Sequence, residues 1–263
     1  MGWQAGRVTD QLRVSLVQYA ASLDPAENRA ALAALSPSGT DLVIFPEVFA
    51  RDFGEPGSEV GEYAEELADG PFAAQVADVA HKRGTTVVAG MFERSPDPLR
   101  PYNTLVVRGA ANAAYRKIHL YDSFGFRESD RISAGDPALV IAEVAGFQVG
   151  LMTCYDLRFP ELARALVAAG AEVLVVPAAW VAGERKVDHW RTLVRARAIE
   201  NVCWVVAVGQ PGPRYTGHSM VVDPWGEVVV EAGAAPETLS ATLTRDRLDA
   251  ARRTNPSLSN RRL

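Results

Sequence analysis

One cysteine of the sequence stands where a nucleophile could act. Cys154 lies in the segment TCYDLRFPE, between a predicted apolar strand that ends at Thr153 and a predicted helix that begins near Pro160. On such a strand-to-helix turn a side chain is presented to a ligand, and the N–H groups of the helix start favour a thiolate. A thiolate can attack a carbonyl carbon. The alternative is a small buried apolar residue, and Cys203 fits it because it falls in the predicted strand 202–208.

Two further side chains could complete a site around that thiol. Glu47 follows the apolar run 41–45, and burial between apolar flanks suits a carboxylate for general-base work. Lys117 stands where a predicted strand meets the loop 118–136, and it could place positive charge beside a developing oxyanion. Each of these residues alone could be a solvated surface charge. Together they indicate one site, because ligand sites of α/β sheets lie at the carboxyl ends of strands.

The elements that must position these residues alternate along the chain. The patterns predict strands at 12–18, 41–45, 85–92, 104–108, 113–117, 139–144, 147–153, 172–176, 202–208, 218–222, 228–231 and 238–243. They predict helices at 25–35, 71–83, 159–169, 187–201 and 245–252. The segments DLVIFP (41–46) and EVLVVP (172–177) both read as buried strands ended by proline, which indicates an internally two-fold αβ sandwich. We predict a single α/β domain, because no linker or change of composition divides the chain.

The composition argues against several classes of protein. The 263 residues carry 27 Lys and Arg against 32 Asp and Glu, a net charge of −5, so we predict no nucleic-acid partner. No apolar run approaches the ~20 residues that cross a bilayer, and residues 1–10 lack the apolar core of a secretory signal. With two cysteines in a chain of this length, we expect a reducing, cytoplasmic location and no membrane partner. The four histidines show no paired zinc spacing, so we expect no metal and no cofactor.

The segments around the candidate residues resemble the three signature segments of the carbon–nitrogen hydrolase (nitrilase-like) superfamily. They are FPE (45–47), RKIHL (116–120) and CYDLRFPE (154–161), in that order, with further similarity in 189–201 and 217–229. The resemblance runs over about 12–252. It implies one carbon–nitrogen hydrolase domain over 1–263, with 253–263 as a C-terminal tail. It also implies a four-layer α-β-β-α sandwich.

The resemblance implies an amidase with Glu47, Lys117 and Cys154 as its catalytic residues. Glu47 would accept the thiol proton, and the thiolate would form a thioester that water then hydrolyses. The stretch FRES resembles the family's Phe-x-Glu-Ser and places Glu128 beside the other three, where it helps to hold the lysine and the substrate. Three further residues are assigned to oxyanion or substrate binding: Tyr155, Ala179 and Trp180.

Within the superfamily, the chain looks most like amidases that act on ω-amides of 2-oxo acids, including omega-amidase and deaminated-glutathione amidase. Two pocket-lining segments depart from their pattern, SFGFRES (123–129) and WVAGERKVDHW (180–190). Arg185 and Lys186 in the second segment are candidates to bind a substrate carboxylate. We predict that Arg158 braces the nucleophile turn through Asp156 or Glu161.

Other interpretations remain open. The chain could be a carbamoyl-amino-acid hydrolase or a nitrilase of the same superfamily, an inactive binding or scaffold protein on this fold, or a protein with a redox-sensing thiol. Cysteine–histidine catalysis would use His119 or His189, although a structural histidine is the simpler role for each. The resemblance, together with apolar residues on the helix 187–201, predicts a homodimer.

Overall fold

A computed structural model describes residues 10–262 of the chain as alternating strands and helices. Its strands are β1 Gln11–Gln18, β2 Leu42–Ile44, β3 Thr86–Glu93, β4 Tyr102–Arg108, β5 Ala113–Arg116, β6 Asp122–Ser123, β7 Phe126–Arg127, β8 Ile141–Val144, β9 Phe147–Leu151, β10 Val173–Ala178, β11 Trp204–Gly209, β12 Met220–Val222, β13 Val228–Glu231 and β14 Glu237–Thr244. Its α-helices are α1 Pro25–Leu35, α2 Pro71–Arg83, α3 Pro160–Ala168, α4 Lys186–Asn201 and α5 Arg245–Thr254. The predicted alternation of elements therefore holds along the described chain, with shifts at the element ends.

Two six-stranded sheets form the centre of the molecule. Their strand orders are β14-β1-β2-β3-β4-β5 and β13-β12-β11-β10-β9-β8. In each sheet three consecutive strands are parallel, β1 to β3 and β9 to β11, and the flanking strands pair antiparallel. The two halves therefore repeat one topology, and the similar segments 41–46 and 172–177 form the middle parallel strand of each half.

The alternation of side chains along the first sheet separates two apolar layers. Leu42 and Ile44 of β2 point into the core between the sheets, whereas Val43 joins the layer beneath α1 and α2. This follows from the two-residue period of a strand. Helices α3 and α4 cover the outer face of the second sheet. The predicted four-layer α-β-β-α sandwich in a single α/β domain is confirmed.

Proline does not end β10 as predicted. Pro177 lies inside the strand and is paired in register with Val208 of β11. The Met152 N–H donates to the Val175 carbonyl, so alternate residues of β10 face β9, and β9 ends at Leu151. Pro177 faces β9 beyond the last residue of that strand. Every strand residue of β9 therefore keeps its hydrogen bonds although proline has no N–H, and strands accept proline at such positions.

Two other predictions are corrected. Cys203 is fully buried but lies just before β11, not within it. The predicted loop 118–136 contains the hairpin of β6 and β7 and a short 3₁₀ turn, Glu128–Asp130. The prediction of a missing secretory signal concerns residues that, apart from Asp10, lie outside the described part of the chain. No helix of residues 10–262 is long and apolar enough to span a bilayer.

Candidate active site

Glu47 is held at the end of β2 by donors from both halves of the sandwich. Its Oε1 accepts hydrogen bonds from Asn103 Nδ2 at 2.7 Å and Lys117 Nζ at 3.0 Å, and its Oε2 accepts from the Ala179 N–H at 2.7 Å. The side chain is 1% exposed. The turn that carries it packs so closely on β3 that a Cβ at Gly90 would lie 2.2 Å from the Val48 nitrogen. Only glycine fits there, and the carboxylate is fixed in one orientation.

Lys117 lies between two carboxylates. It follows β5 directly, and its N–H still donates to the Asn103 carbonyl at 2.8 Å. Its buried Nζ donates to Glu128 Oε2 at 2.8 Å as well as to Glu47. Asn103 Nδ2 also reaches Glu128 Oε1 at 3.3 Å, and the Tyr121 N–H donates to Glu128 Oε2 at 2.6 Å. The structure thus brings three predicted site residues into one hydrogen-bonded cluster.

Cys154 begins a 3₁₀ turn with a backbone that non-glycine residues rarely adopt. Its φ is +47°, in the left-handed region. Two hydrogen bonds between Thr153 and Asp156 hold this turn: the Thr153 N–H donates to Asp156 Oδ2 at 2.8 Å, and the Asp156 N–H donates to the Thr153 carbonyl at 2.9 Å. Buried Asp156 also accepts from the Tyr115 hydroxyl at 2.6 Å and contacts His119 Nδ1 at 2.7 Å. This bracing aims the sulfur at the cavity that also contains Glu47 and Lys117.

The electrostatics of the cluster favour a protonated thiol and a charged lysine. Burial raises the pKa of the Cys154 thiol well above its usual range, and the Glu47 carboxylate raises that pKa further while Lys117 opposes it. Burial disfavours the Lys117 ammonium, but the carboxylates of Glu128 and Glu47 prevail and hold its pKa well above the ordinary value. The sulfur therefore needs a base to lose its proton, and Glu47 is the carboxylate beside it.

The cavity in front of Cys154 has a volume of about 850 Å³. Tyr155, Ala179 and Trp180, which were predicted to bind the oxyanion or the substrate, all line it. The N–H of Ala179, however, is engaged with Glu47 Oε2, so this residue holds the carboxylate. Trp180 is almost fully buried, and its Nε1 donates to the Lys186 carbonyl at 3.0 Å.

The two neighbouring cations predicted as carboxylate binders have different environments. Lys186 lines the cavity, and its Nζ donates to the Tyr121 hydroxyl at 2.8 Å and lies 3.9 Å from the centre of the Phe124 ring. Burial and the nearby Arg158 lower the pKa of Lys186. Arg185 is exposed and borders an adjoining pocket that Lys186 also lines, but Arg185 does not line the cavity in front of Cys154. Only Lys186 therefore faces the site.

The predicted bracing role of Arg158 is wrong. Its Nη2 lies 3.3 Å from His189 Nδ1, and its guanidinium packs 5.0 Å from the centre of the Trp180 ring. Asp156, its predicted partner, is satisfied by Thr153, Tyr115 and His119. Tyr115, a buried residue of β5 in the other sheet, donates to that carboxylate, and the sequence pattern carried no signal for it.

Sequence reasoning missed further residues of the site. Asn103 binds both carboxylates, and the Gln210 side chain donates to the Glu47 carbonyl at 3.0 Å. A polar amide directly before the apolar run of β4 could have indicated Asn103. Arg131, Arg214 and Tyr215 line the cavity from segments that show no motif. Among residues 10–262, no group of three His, Cys, Asp or Glu side chains is placed to bind a metal ion.

The environment of His119 predicts the result of a substitution. Its ring contacts Asp156 and stacks on Phe159 at 3.8 Å between centroids, and it is absent from the cavity wall. We expect His119→Asn to retain kcat/KM within about tenfold, because the amide can still donate to Asp156. Steady-state kinetics on an amide substrate checks this. Complete loss of Cys154 alkylation by iodoacetamide in the folded variant would instead assign the base role to His119.

Comparison with known proteins finds similar sequences and similar folds. A family model described as carbon-nitrogen hydrolase matches residues 13–253. A curated protein of Escherichia coli O157:H7, named deaminated glutathione amidase, is 39% identical over 234 residues, which is 88% of each chain. A solved CN-hydrolase superfamily protein from Xanthomonas campestris, with an arsenic adduct in the active site, has a TM-score of 0.86 at 31% identity and covers 97% of this chain and 98% of its own.

A third similar protein is an amidase of the nitrilase superfamily from Nesterenkonia sp. AN1. It has a TM-score of 0.76 at 28% identity and covers 99% of this chain and 97% of its own. In that structure a glutamate-to-glutamine mutant shows covalent addition of the acetamide moiety of fluoroacetamide at the active-site cysteine.

The chain belongs to the carbon–nitrogen hydrolase family. The predicted resemblance is therefore confirmed, and so is the prediction of an enzyme that hydrolyses carbon–nitrogen bonds other than peptide bonds. The roles of the individual site residues and the identity of the substrate do not follow from membership.

Proposed function

We propose that the chain hydrolyses a small linear ω-amide to a carboxylate and ammonia through a thioester on Cys154. One observation carries this proposal. The sulfur, the Glu47 carboxylate and the Lys117 ammonium lie at a shared cavity, all three residues are buried, and hydrogen bonds hold the carboxylate and the ammonium in place. This is the arrangement of nucleophile, base and electrophile that acyl transfer needs. The amidase name of the Escherichia coli relative and the modified cysteine of the Nesterenkonia amidase support the assignment.

In the first half-reaction Glu47 accepts the proton of the Cys154 thiol as sulfur attacks the amide carbon. The raised pKa of the thiol means that this transfer accompanies the attack. Charge that develops on the carbonyl oxygen is stabilised by the Lys117 ammonium and by the backbone N–H of Tyr155. The carbon–nitrogen bond then breaks, the nitrogen takes the proton from Glu47, and a thioester remains.

In the second half-reaction Glu47 removes a proton from water, and the oxygen attacks the thioester carbon. The carbon–sulfur bond breaks, the thiol regains its proton and the carboxylate product leaves. Splitting one hydrolysis into two steps is what the covalent nucleophile contributes. Asn103 and the Ala179 N–H keep the carboxylate in place through both steps, because their hydrogen bonds do not involve the reacting proton.

The experiment that tests the proposal is to trap the acyl group on the protein and to measure the mass of the intact protein. The protein is incubated separately with 2-oxoglutaramate, a ureido acid and a nitrile. Each reaction is quenched in acid, the mass of the intact protein is measured by mass spectrometry, and ammonia release is followed in parallel. We expect an acyl adduct from the ω-amide, and peptide mapping should place it on Cys154. Cys203→Ala provides the matched control, since Cys203 is fully buried outside the cavity, and it should retain the adduct.

Cys154→Ala should give no adduct. Turnover of the ω-amide without any adduct on Cys154, or a Cys154→Ala variant that still releases ammonia, would overturn the thioester scheme. Faster turnover of the ureido acid or the nitrile would reassign the substrate within the family. A Cys154→Ala variant that keeps the cellular function would favour a binding protein instead.

Lys186 is the residue that we propose for the substrate's distal carboxylate. It forms no ion pair within the described chain, and it sits in the cavity wall close enough to interact with Cys154. We expect Lys186→Met to lower kcat/KM for 2-oxoglutaramate by about 10- to 100-fold, mainly through KM, because a charge-assisted hydrogen bond is lost. For an uncharged amide of similar size that lacks the distal carboxylate, kcat/KM should fall far less in the same variant. Arg185→Met, with its exposed side chain, is the control, and equal losses in the two variants would contradict the assignment.

We also propose a homodimer and a cytoplasmic location, as the sequence analysis predicts. Of the helix residues behind the dimer prediction, Trp190 and Val194 are buried in the chain's own core, whereas Ile199 is 45% exposed and lies against Gly226, in the turn that carries the exposed Trp225 and Val228. An apolar patch of this kind favours association. Sedimentation equilibrium at micromolar protein should give twice the monomer mass, and a stable monomer would refute the dimer.

A further inference from the structure

The main chain directly after Glu47 is strained. Val48 has a φ of +48°, in the left-handed region, and its side chain is fully buried. A β-branched residue with this φ is an outlier, and such strain persists only where the surrounding structure enforces it. The contacts that enforce it also determine the position from which the Glu47 side chain reaches the cavity.

Two contacts hold the peptide group between Glu47 and Val48. On its nitrogen side, β3 packs so closely that a Cβ at Gly90 would lie 2.2 Å from the Val48 nitrogen. On its oxygen side, the Nε2 of Gln210 donates to the Glu47 carbonyl at 3.0 Å. Relaxation of Val48 towards an ordinary negative φ turns this peptide plane, so it requires the hydrogen bond from Gln210 to break.

Gln210 also holds the peptide group that binds the Glu47 carboxylate. It follows β11 directly, and its N–H donates to the Ala178 carbonyl at 2.9 Å. The same peptide group presents the Ala179 N–H, which donates to Glu47 Oε2 at 2.7 Å. One residue of the second half of the chain therefore fixes both the main chain of Glu47 and a donor to its carboxylate.

The side-chain amide of Gln210 is committed to the protein and not to a ligand. It is 1% exposed and lies outside the cavity wall. Its Oε1 accepts a hydrogen bond from the Ala21 N–H at 2.9 Å. The reversed amide would place its oxygen against the Glu47 carbonyl and its NH₂ group against the Ala21 N–H, so the network sets one orientation. Gln210 therefore acts on Glu47 and not on the substrate.

We propose that Gln210 is a positioning residue that keeps the Glu47 carboxylate where it can exchange a proton with Cys154. This rests on the proposed role of Glu47 as the base and adds the residue that holds this base in place. Without the hydrogen bond to its carbonyl, the strained peptide relaxes and the carboxylate moves with the main chain. A displacement of about 1 Å in a reacting group lowers a rate by roughly 10²-fold.

The test begins with two substitutions that remove the donor. Gln210→Met keeps the length of the side chain, and we expect kcat to fall about 10- to 100-fold with little change in KM, because the residues that line the cavity are unchanged. Gln210→Glu still offers an acceptor to the Ala21 N–H but cannot donate at neutral pH, so it should lose kcat as well. A kcat that is lost in Gln210→Met and retained in Gln210→Glu would assign the effect to Ala21 and overturn the proposal.

Gln18→Met is the matched control. Gln18 is likewise a glutamine that is 1% exposed at the end of a strand, and it likewise links the two halves of the chain. Its side chain bonds to Ser219, Gly233 and Ala235, none of which lines the cavity. Gln18→Met should lower the urea midpoint of unfolding but keep kcat. A loss of kcat as large as in Gln210→Met would show a general effect of buried glutamines and overturn the proposal.

Two further measurements separate the positioning of Glu47 from a general loss of structure. Burial and then the Glu47 charge raise the pKa of Cys154, so a displaced carboxylate should shift the iodoacetamide alkylation profile of Gln210→Met to lower pH, towards that of Glu47→Gln. In Glu47→Gln with Gln210→Met, kcat should equal that of Glu47→Gln alone, because the positioned group is already lost. An unshifted profile, or a further loss of kcat in the double variant, contradicts the positioning role.

The outcomes distinguish this inference from the proposed function. If Glu47→Gln loses turnover while Gln210→Met keeps the kcat of the wild type, only the positioning role of Gln210 is refuted. If Glu47→Gln itself keeps turnover, the base role in the proposed function is refuted, and the positioning role with it.

Discussion

Replacing Glu47 with glutamine is expected to lower kcat/KM for the amide by about 10²- to 10⁴-fold, the usual contribution of a general acid–base group. Glutamine keeps the shape of the side chain and can still accept a hydrogen bond from the Ala179 N–H. It cannot receive the proton of Cys154, protonate the leaving nitrogen or activate water. Steady-state kinetics measures the loss, and a variant that keeps turnover within tenfold of the wild type would remove Glu47 from the base role.

The same variant should change how the thiol ionises. The negative charge of Glu47 contributes to the raised pKa of Cys154, so its removal should lower that pKa while Lys117 still favours the thiolate. Below the thiol pKa the thiolate fraction grows about tenfold per pH unit, and the lower pKa gives more thiolate at any such pH. Alkylation of Glu47→Gln by iodoacetamide should therefore persist and rise steeply with pH, although turnover is lost.

A buried carboxylate outside the cavity provides the control for this substitution. Glu93 is 4% exposed and is paired with Arg116 and Thr104. Glu93→Gln should keep both the kcat/KM and the alkylation profile of the wild type. If Glu47→Gln is folded but its thiol no longer reacts at any pH, the carboxylate does not act on the sulfur in the way described.

Replacing Lys117 with methionine should have the largest effect on stability. The cation sits between Glu47 and Glu128, and its loss leaves two buried carboxylates without their partner. Removal of one partner from a buried ion pair typically costs about 3–5 kcal/mol of unfolding free energy. Turnover should fall as well, by about 10²- to 10³-fold, because the developing oxyanion loses its cation. Urea denaturation at pH 7 and steady-state kinetics check the two effects.

The pH dependence of this cost has a defined sign. The pKa of Lys117 is raised in the folded state above its ordinary value of 10.5. Its ammonium therefore contributes stability that is fully present below about pH 10.5 and is lost as the pH rises through the folded-state value. We expect the stability difference between the wild type and Lys117→Met to persist through neutral and mildly alkaline pH and to shrink only beyond it.

A double variant separates the charge effect from a loss of packing. In Glu47→Gln with Lys117→Met, one of the two carboxylates is neutral, so the unfolding free energy should exceed that of Lys117→Met alone. The exposed Lys82, which pairs with Asp78, gives the control, and Lys82→Met should change stability by less than about 1 kcal/mol. A Lys117→Met protein as stable as the wild type would show that the cation does not balance the two carboxylates.

The chemical groups of the site could be predicted from the sequence because each of them follows a strand. Glu47, Lys117 and Cys154 stand just beyond β2, β5 and β9, and the short apolar runs that form these strands are visible in the sequence. Strand order then brings their ends to one cavity. The alternation of strands and helices likewise predicted the α/β class, because hydrophobic periodicity is a local property of the chain.

Other features depended on contacts between segments distant in the chain. Nothing near Asn103 indicates that its amide joins Glu47 to Glu128, and nothing near Arg185 and Lys186 shows that only the second faces the cavity. Arg158 was given the wrong partner for the same reason, since the nearest acid in sequence was already satisfied by Tyr115 from another strand.

The sequence by itself determined which reactive groups are present and which strand ends carry them. Only the tertiary structure decided the charge on those groups and the shape of the space before them. Burial and neighbouring charges set the protonation of Cys154 and Lys117, and those charges come from distant segments of the chain: Glu47 acts on both, although it lies 70 residues from Lys117.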